Sequence, residues 1–418
     1  VVSIGHVAVA QSNKNIVWVG TGEANPRNSV SYGNGVYKST DGGKTWAHKG
    51  LADTFQTGRI AIHPSNPDVV YVGSLGRLYG PNEDRGLYKT TDGGETWSKV
   101  LYVDDQTGVI DVDMHPTDPD TLMVATYERA RDGFDTNDPA KRWGPGSGIW
   151  KTTDGGANWM RIKTGLPSCQ IGRIGIDYYR SDPNVLMALV ESEMISKQPE
   201  DAPYHGAQTA DADAGVKVTS VEPARRRGGR GRRRNEAEKD EDKQKKPAPT
   251  PAAKAGLRKG DVILAVGGER VNSEEQLEHA CRQHKAGDEV ALSIVRDRED
   301  MEITLTFGTF PEGARSPFIG TLGGQSGGSP DLQGESGHEY GGIYKSVDGG
   351  DTWTRINTLN PRPMYYSQIR IDPTNSDNVM VLGTSLYRST DGGKSFDRGA
   401  GNGMHVDHHA EWIDPKNG

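Results

Sequence analysis

The stretches STDGGKTW (39–46), TTDGGETW (90–97), TTDGGANW (152–159), SVDGGDTW (346–353) and STDGGKSF (389–396) decide the fold of this chain. All obey Ser/Thr-x-Asp-x-Gly-x-x-Trp/Phe, and each follows a strand-like tripeptide such as Val36-Tyr37-Lys38 or Leu87-Tyr88-Lys89. A hairpin needs a tight turn, and an aspartate there accepts hydrogen bonds from backbone N–H groups one to three residues ahead. The paired glycines supply the positive φ that such turns require. The aromatic side chain starts the next strand and packs between sheets. Asp41, Asp92, Asp154, Asp348 and Asp391 are therefore expected to be structural residues rather than catalytic ones.

Around each copy the same four-strand grammar recurs. The first unit reads 4–9, 16–20, 35–39 and 45–49; the second 58–63, 69–73, 86–90 and 96–101; the third 109–114, 121–126, 148–152 and 158–162. A fourth begins at 172–177 and 185–190 and resumes at 342–346 and 352–356, and a fifth covers 368–398. Near-copies of one turn (HPSNPD, HPTDPD, YRSDPN, DPTNSD) join the first two strands. The pattern resembles the Asp-box (BNR) repeat of sialidases, sortilin-type receptors and xyloglucanases. GTGEANPRNSV, NPRPMYYSQIRIDP and HVDHHAEWIDP narrow the resemblance to the sortilin/xyloglucanase-like branch over residues 1–195 and 335–418. It implies a mainly β fold, an Asp-box β-propeller of five blades, with residues 412–415 opening a sixth. Because a propeller buries each blade against two neighbours, such an array reads as a fragment of a larger ring.

The Asp-box aspartates lie 51, 62, 194 and 43 residues apart, so the long interval marks an insertion within the fourth unit. There, GLRKGDVILAVGG (256–268) resembles the core of a PDZ domain of the kind in periplasmic serine proteases. Strands are expected at 215–221, 289–296 and 301–307, and a helix at 273–285. The resulting division is 1–198 for the first propeller part, 199–310 for the α+β PDZ domain, 311–341 for a flexible Gly/Ser-rich linker and 342–418 for the rest. Within the PDZ, the arginine-rich and then mixed-charge run 224–252 has nothing to build a core from and reads as disordered. A PDZ domain adds an extended peptide as a strand and holds its terminal carboxylate in a glycine-containing loop. The resemblance assigns that loop to Tyr204, His205, Gly206 and Ala207 and the groove to Leu277 and Ala280, with His205 departing from the usual apolar residue.

A net charge of −8 argues against a nucleic-acid partner. Two cysteines, Cys169 and Cys281, fall in different domains, so no disulfide is expected. No apolar run reaches membrane-spanning length. No signal peptide is visible and no initiator methionine is present, which leaves secretion open; the resemblance implies a secreted or periplasmic protein.

Propeller topology gathers loops 22–34, 75–85, 127–147 and 357–366 on the face opposite the Asp boxes, as a binding surface would require. Asn25, Arg27, Arg59 and Arg173 are candidate ligand-binding residues there, the last two starting innermost strands at equivalent positions. Glycoside hydrolysis needs two carboxylates, for which Glu23 and Glu128 are the candidates, with Asp104 and Asp105 behind them. The third arginine and the Tyr–Glu pair of sialidases do not align. Strand alternation would put His405, Asp407 and His409 on one side, compatible with a divalent metal site, while a hydrogen-bonded plug at the channel mouth is the favoured reading and no cofactor is required. Glu411 occupies a register where other units carry Ile60, Val112, Ile174 and Ile369. No HExxH motif occurs, so a protease would have to lie outside this chain or in a partner. The favoured reading is an extracytoplasmic binding or scaffold protein with a PDZ that recruits a peptide or C-terminus. The alternative is a glycoside hydrolase acting on polysaccharide, and a third is a protein-quality-control factor.

Overall fold

The computed structural model describes residues 3–27, 29–134, 138–222, 248–311, 316–416 and 418. They form two units. One comprises Val1–Lys197, Ser316–Asp331 and Glu335–Gly418; the other comprises Gln198–Arg315 with Leu332–Gly334.

The first unit is a series of antiparallel sheets, each running inner to outer strand in chain order. The first sheet holds Ile4–Val9, Val17–Thr21, Val36–Ser39 and Ala47–His48, and the second holds Thr57–Ile62, Val70–Ser74, Gly86–Thr90 and Ser98–Leu101. The third holds Thr107–Met114, Leu122–Glu128, Gly148–Thr152 and Met160–Ile162. In the fourth, Ile171–Tyr178 and Leu186–Ser192 are completed by Gly342–Ser346 and Thr354–Asn357, with Val190 opposite Gly342. One sheet thus brackets the inserted unit. The fifth holds Gln368–Asp372, Asn375–Leu382 and Tyr387–Ser389. Residues 412–415, where a sixth blade is expected to open, carry no strand.

Every interface between consecutive sheets has its own apolar core. Trp18 and Val36 meet Ile60, Val70 and Val72; Tyr71 and Leu87 meet Val109, Val112 and Val124. Met123 and Ile149 meet Ile174 and Ala188, and Met187 and Ile343 meet Ile369 and Val381. Polar side chains on the innermost strands add cross-links to the next inner strand's backbone. Ile60 N–H donates to His6 Nδ1 at 3.3 Å, Ile176 N–H to Asp111 Oδ2 at 3.0 Å, Tyr178 N–H to Asp113 Oδ2 at 2.9 Å, and Ile371 N–H to Asp177 Oδ2 at 2.8 Å. Buried carboxylates are tolerated here because each accepts hydrogen bonds.

The Asp boxes are turn staples. Asp41 accepts from the N–H groups of Lys44 and Thr45, both at 2.9 Å, and from the hydroxyls of Ser39 and Thr45. The donors lie three and four residues ahead, at and just beyond the far end of the expected range, because the Ser39 hydroxyl takes the Gly43 N–H at 2.8 Å. The Thr45 hydroxyl leads the hydrogen bonds that pull Asp41 down to about 2, and Asn158 and Thr352 do the same for Asp154 and Asp348. Asp92 and Asp391 accept in the same pattern. In two boxes the aromatic residue ties the turn to the preceding sheet, Trp97 Nε1 donating to Lys49 O at 2.7 Å and Trp159 Nε1 to Val100 O at 2.8 Å. Trp46 and Trp353 donate instead to Gly43 O and Gly350 O of their own turns.

The segment read as a flexible linker packs instead. Gln325 and Asn360 exchange backbone hydrogen bonds at 2.8 and 3.0 Å, Ser196 Oγ donates to Gly324 O at 2.7 Å, and Glu339 Oε2 accepts from the Ser168 and Cys169 amides. Composition missed this because single polar side chains, not an apolar pattern, order the segment. Residues 324–328 also spell Gly-x-Ser-x-Gly, but Ser326 sits in irregular backbone rather than on a strand-to-helix elbow.

In the second unit Gln208–Asp211, Val216–Ser220, Val262–Val266, Glu289–Arg296 and Glu299–Thr306 form one sheet in that order, with Glu269–Arg270 paired to Val262–Val266. Helix Glu274–Arg282 starts at Ser273, whose hydroxyl accepts the Gln276 N–H, and packs Leu277, Ala280 and Cys281 onto the sheet. Buried Asp261 pairs with Arg296 at 2.7 Å. The end of the charged run contradicts the expectation of disorder. Thr250 caps a short helix, Pro251–Lys254, and Ala252 is fully buried in the core. Residues 223–247, with the arginine-rich run, lie outside the described residues.

Candidate functional site

The five innermost strands of the first unit surround a cavity of about 880 Å³, lined among others by His6, Glu23, Asn25, Arg59, Arg173, Arg370, His409 and Glu411. Sequence-distant segments therefore converge: the loop after the first sheet's second strand, the starts of two inner strands, and the final stretch.

Asn25 is the hinge of this convergence. Its Oδ1 accepts from Arg173 Nη1 at 2.9 Å, and its Nδ2 lies 3.0 Å from His409 Nδ1. Arg173 Nη1 also donates to Tyr365 O at 3.0 Å, while its buried Nε has no hydrogen-bond partner among the described residues. His409 packs on the rings of Tyr365 and Tyr366 at 5.0 and 4.9 Å, and Tyr365 in turn lies beneath the guanidinium groups of Arg27 and Arg362. Half-buried Glu23 faces the same group. Burial raises its pKa against the opposing pull of Asn25, Arg27 and Arg173.

Deeper in the cavity Arg59 Nε lies 3.4 Å from Asp111 Oδ1. Arg370 donates to Ile369 O at 2.6 Å. Burial also raises Glu411, with Arg370 opposing, and its Oε2 is buried without a hydrogen-bond partner among the described residues. The odd register noticed in sequence thus puts a carboxyl group into the cavity.

Glu128 is not part of this site. Lys141 Nζ engages its Oε1, and the Gly146 N–H donates to its Oε2 at 2.8 Å. Both oxygens are held by the local 128–146 loop, a pairing that sequence spacing cannot reveal. Asp104 and Asp105 are likewise absent from the cavity lining and bind Gln106. The three candidate metal ligands do not converge in this structure. Asp407 adopts a φ of 89°, which breaks the assumed strand alternation. His409 Nε2 lies 3.6 Å from Asp407 Oδ1, and Tyr366 donates its hydroxyl to the same Asp407 oxygen, but His405 Nδ1 turns to Val406 O at 2.7 Å. Among the described residues no group of three or more His, Cys, Asp or Glu side chains gathers to hold a metal.

One functional candidate escaped the sequence reading. Glu191 is fully buried, 3.6 Å from Arg142 Nε, and accepts the Arg173 N–H at 3.1 Å. Burial pushes its pKa up to about 7. Its only sequence signal is a carboxylate ending the apolar strand LMALVES.

In the PDZ unit, Gly206 has a φ of 75°, and a β-carbon there would meet Thr250 at 2.6 Å. His205 O accepts the Ala252 N–H at 2.8 Å, Ala207 N–H donates to His205 Nδ1 at 3.2 Å, and Tyr204 exchanges backbone bonds with Gly308. Leu277 and Ala280, assigned to the groove, are 1% exposed and belong to the core. Helical periodicity turns them inward with Cys281, leaving Glu274 and Glu278 toward the Gln208–Asp211 strand. Three ties cross there: Thr209 Oγ1 to Glu274 Oε1 at 2.6 Å, Glu274 N–H to Asp211 Oδ1 at 2.7 Å, and His205 Nε2 to Glu278 Oε1 at 3.0 Å.

Residues 34–213 match the family profile "Sortilin, neurotensin receptor 3", and residues 246–307 match the PDZ domain profile. A protein of Neosartorya fischeri described as a probable oligoxyloglucan-reducing end-specific xyloglucanase is 39% identical over 71 residues, 16% of this chain and 8% of that protein. A DegP-like protein of Pseudomonas fluorescens, described as a probable periplasmic serine endoprotease, is 40% identical over 61 residues, 15% of this chain and 13% of that one. The matched stretches thus span a small part of these relatives. The GH74 xyloglucanase structure from Xanthomonas campestris aligns over 95% of this chain and 55% of its own at 16% identity, with a TM-score of 0.35. The profile matches, the Asp-box turns and the sheet series make this chain an Asp-box β-propeller with an inserted PDZ domain, similar over residues 34–213 to the sortilin family.

Proposed function

We propose that this chain is an extracytoplasmic binding and scaffold protein whose PDZ unit recruits an extended peptide or a protein C-terminus while the propeller cavity holds a second ligand. The cavity carries the reading: charged and polar groups, among them Arg173, Asn25, Glu23 and His409, converge in it beside an apolar wall that includes Ile110 and Ile174, as a site for a polar ligand requires. The PDZ loop supports the peptide half, with Gly206 in the conformation that lets backbone N–H groups turn toward a carboxylate. Extracytoplasmic placement is supported by the periplasmic description of the DegP-like relative. Among the described residues no helix is long and apolar enough to cross a membrane. The test is fluorescence anisotropy of a peptide library with the full chain. Free-carboxylate peptides are expected to bind and their amidated forms to bind weakly; indifference to amidation would refute the carboxylate-capture reading.

A second reading, glycoside hydrolysis, is favoured by one observation. Glu23 and Glu411 line the same cavity, and burial raises both above the ordinary carboxylate value. A carboxyl group that stays protonated is what a general acid requires. Reducing-end release from soluble polysaccharides, xyloglucan included, tests it with Glu23→Gln and Glu411→Gln beside the wild type.

A further inference from the structure

Beneath the loops 75–85 and 129–131 lie arginines whose charge nothing nearby fully answers. Arg129 has no exposed surface; its Nη2 donates to Gln56 Oε1, and its Nε and Nη1 have no hydrogen-bond partner among the described residues. Arg85 is equally buried. It donates through Nη2 to Arg77 O at 2.8 Å and Gly80 O at 3.2 Å, again with Nε and Nη1 unpartnered. Arg173 adds its own buried Nε.

Backbone and side-chain ties hold the three in one neighbourhood. Gln56, which receives Arg129, also accepts the Leu75 N–H at 2.8 Å at the start of the loop that carries Arg85. The Arg131 N–H donates to Leu78 O in the same loop, and Arg131 Nε to Pro26 O at 2.7 Å, next to the Asn25 that binds Arg173. Burial, and after it repulsion from Arg85, Arg173 and Arg131, draws Arg129 down to about 9. Among the described residues the nearby carboxylates form no ion pair with Arg85 or Arg129. Asp104 and Asp105, whose charge acts on Arg85, accept from Gln106, and Asp111 lies against Arg59. Glu128 is held by Lys141 and the Gly146 amide, and Glu191 by Arg142 and the Arg173 amide.

A buried cation without a counter-charge is strongly unfavourable, and a guanidinium fork matches the oxygens of a planar or tetrahedral anion. We infer that Arg129, with Arg85 and Arg173, encloses a binding site for a compact oxyanion of the phosphate or sulfate type. Complete burial of Arg85 and Arg129 sets the size, because an anion carried on a polymer or peptide would have to thread the loops above them. Arg85 and Arg129 do not line the cavity, whereas Arg173 does, so Arg129 variants separate this site from what the cavity holds.

The test uses the full chain, dialysed free of phosphate and sulfate, with ionic strength held constant by chloride. Equilibrium dialysis with labelled inorganic phosphate is expected to reveal saturable binding, with sulfate competing and Tm rising with phosphate concentration. Arg129→Met removes the uncompensated charge; it is expected to fold and to lose the phosphate-dependent rise in Tm. Arg129→Lys keeps the charge without the fork and is expected to bind at least roughly tenfold more weakly. No saturable phosphate or sulfate uptake by the wild type would overturn the inference. So would a Tm rise of equal size in wild type and Arg129→Met.

Discussion

Arg173 Nη1 donates to Asn25 Oδ1 at 2.9 Å, a bond that closes 148 residues of sequence and, through the same amide, reaches His409 at 3.0 Å. One side chain thus ties the first sheet's exit loop to the fourth sheet's inner strand and to the final stretch. Asn25→Ala leaves buried Arg173 short of an acceptor and is expected to cost about 1–3 kcal/mol. Asn25→Asp, which restores an acceptor, should recover part of it. Urea denaturation of the three proteins measures the difference, and equal losses in both variants would show that the bond to Arg173 is not what Asn25 contributes.

The Asp-box glycines separate conformational from packing costs. Gly43 and Gly94 have φ values of 88° and 91°, yet a β-carbon on Gly43 meets Trp46 at 3.5 Å whereas one on Gly94 meets Trp18 at 2.7 Å. Gly43→Ala is expected to cost about 1 kcal/mol for the left-handed backbone. Gly94→Ala should cost about 1–3 kcal/mol more for overpacking against a core tryptophan. Comparable Tm losses would show that the second sheet's turn does not press on the first.

Glu191 predicts a pH dependence of defined sign. Its folded pKa of about 7 stands above the unfolded value of 4.5, so the native state binds the extra proton. Its contribution is therefore full below pH 4.5 and is lost as pH rises through about 7. The loss is on the order of 3 kcal/mol. Subtracting the pH–stability curve of Glu191→Gln from that of the wild type isolates it, and a flat difference would contradict the assignment.

In the PDZ unit the core and groove residues are expected to part company. Leu277→Ala should destabilise that unit by about 2–5 kcal/mol, since it deletes a buried side chain. Glu278→Gln removes the partner of His205 and should alter peptide affinity with little loss of stability. Burial alone would raise Glu278, but the hydrogen bond and charge of His205, with Arg282, hold it lower. Parallel thermal melts and peptide titrations on the full chain read the two effects separately.

The fold was legible because repetition carries it: five copies of one turn set the sheets, and the interruption of one sheet set the insertion. The cavity was legible only in part. Asn25, Arg59 and Arg173, named from their place in the propeller topology, line the cavity, whereas Arg27 lies over the Tyr365 ring and is not in that lining. Glu128 could not be separated from Glu23, because the difference lies in a pairing with Lys141 that depends on how one loop folds back. Leu277 and Ala280 went astray because an amphipathic helix has one apolar face, and that face belongs to the core. His405, Asp407 and His409 were grouped on an assumed strand that the positive φ of Asp407 interrupts. Glu191 and Arg129 gave almost no signal, since burial of a charge is a property of packing.

The most direct measurement places the full chain with soluble polysaccharides and free-carboxylate peptides, and follows peptide anisotropy and reducing ends together. The binding account predicts saturable peptide capture, lost on amidation of the peptide, with no new reducing ends. Reducing ends that appear with the wild type and vanish in Glu23→Gln would contradict it and make the cavity a hydrolase site.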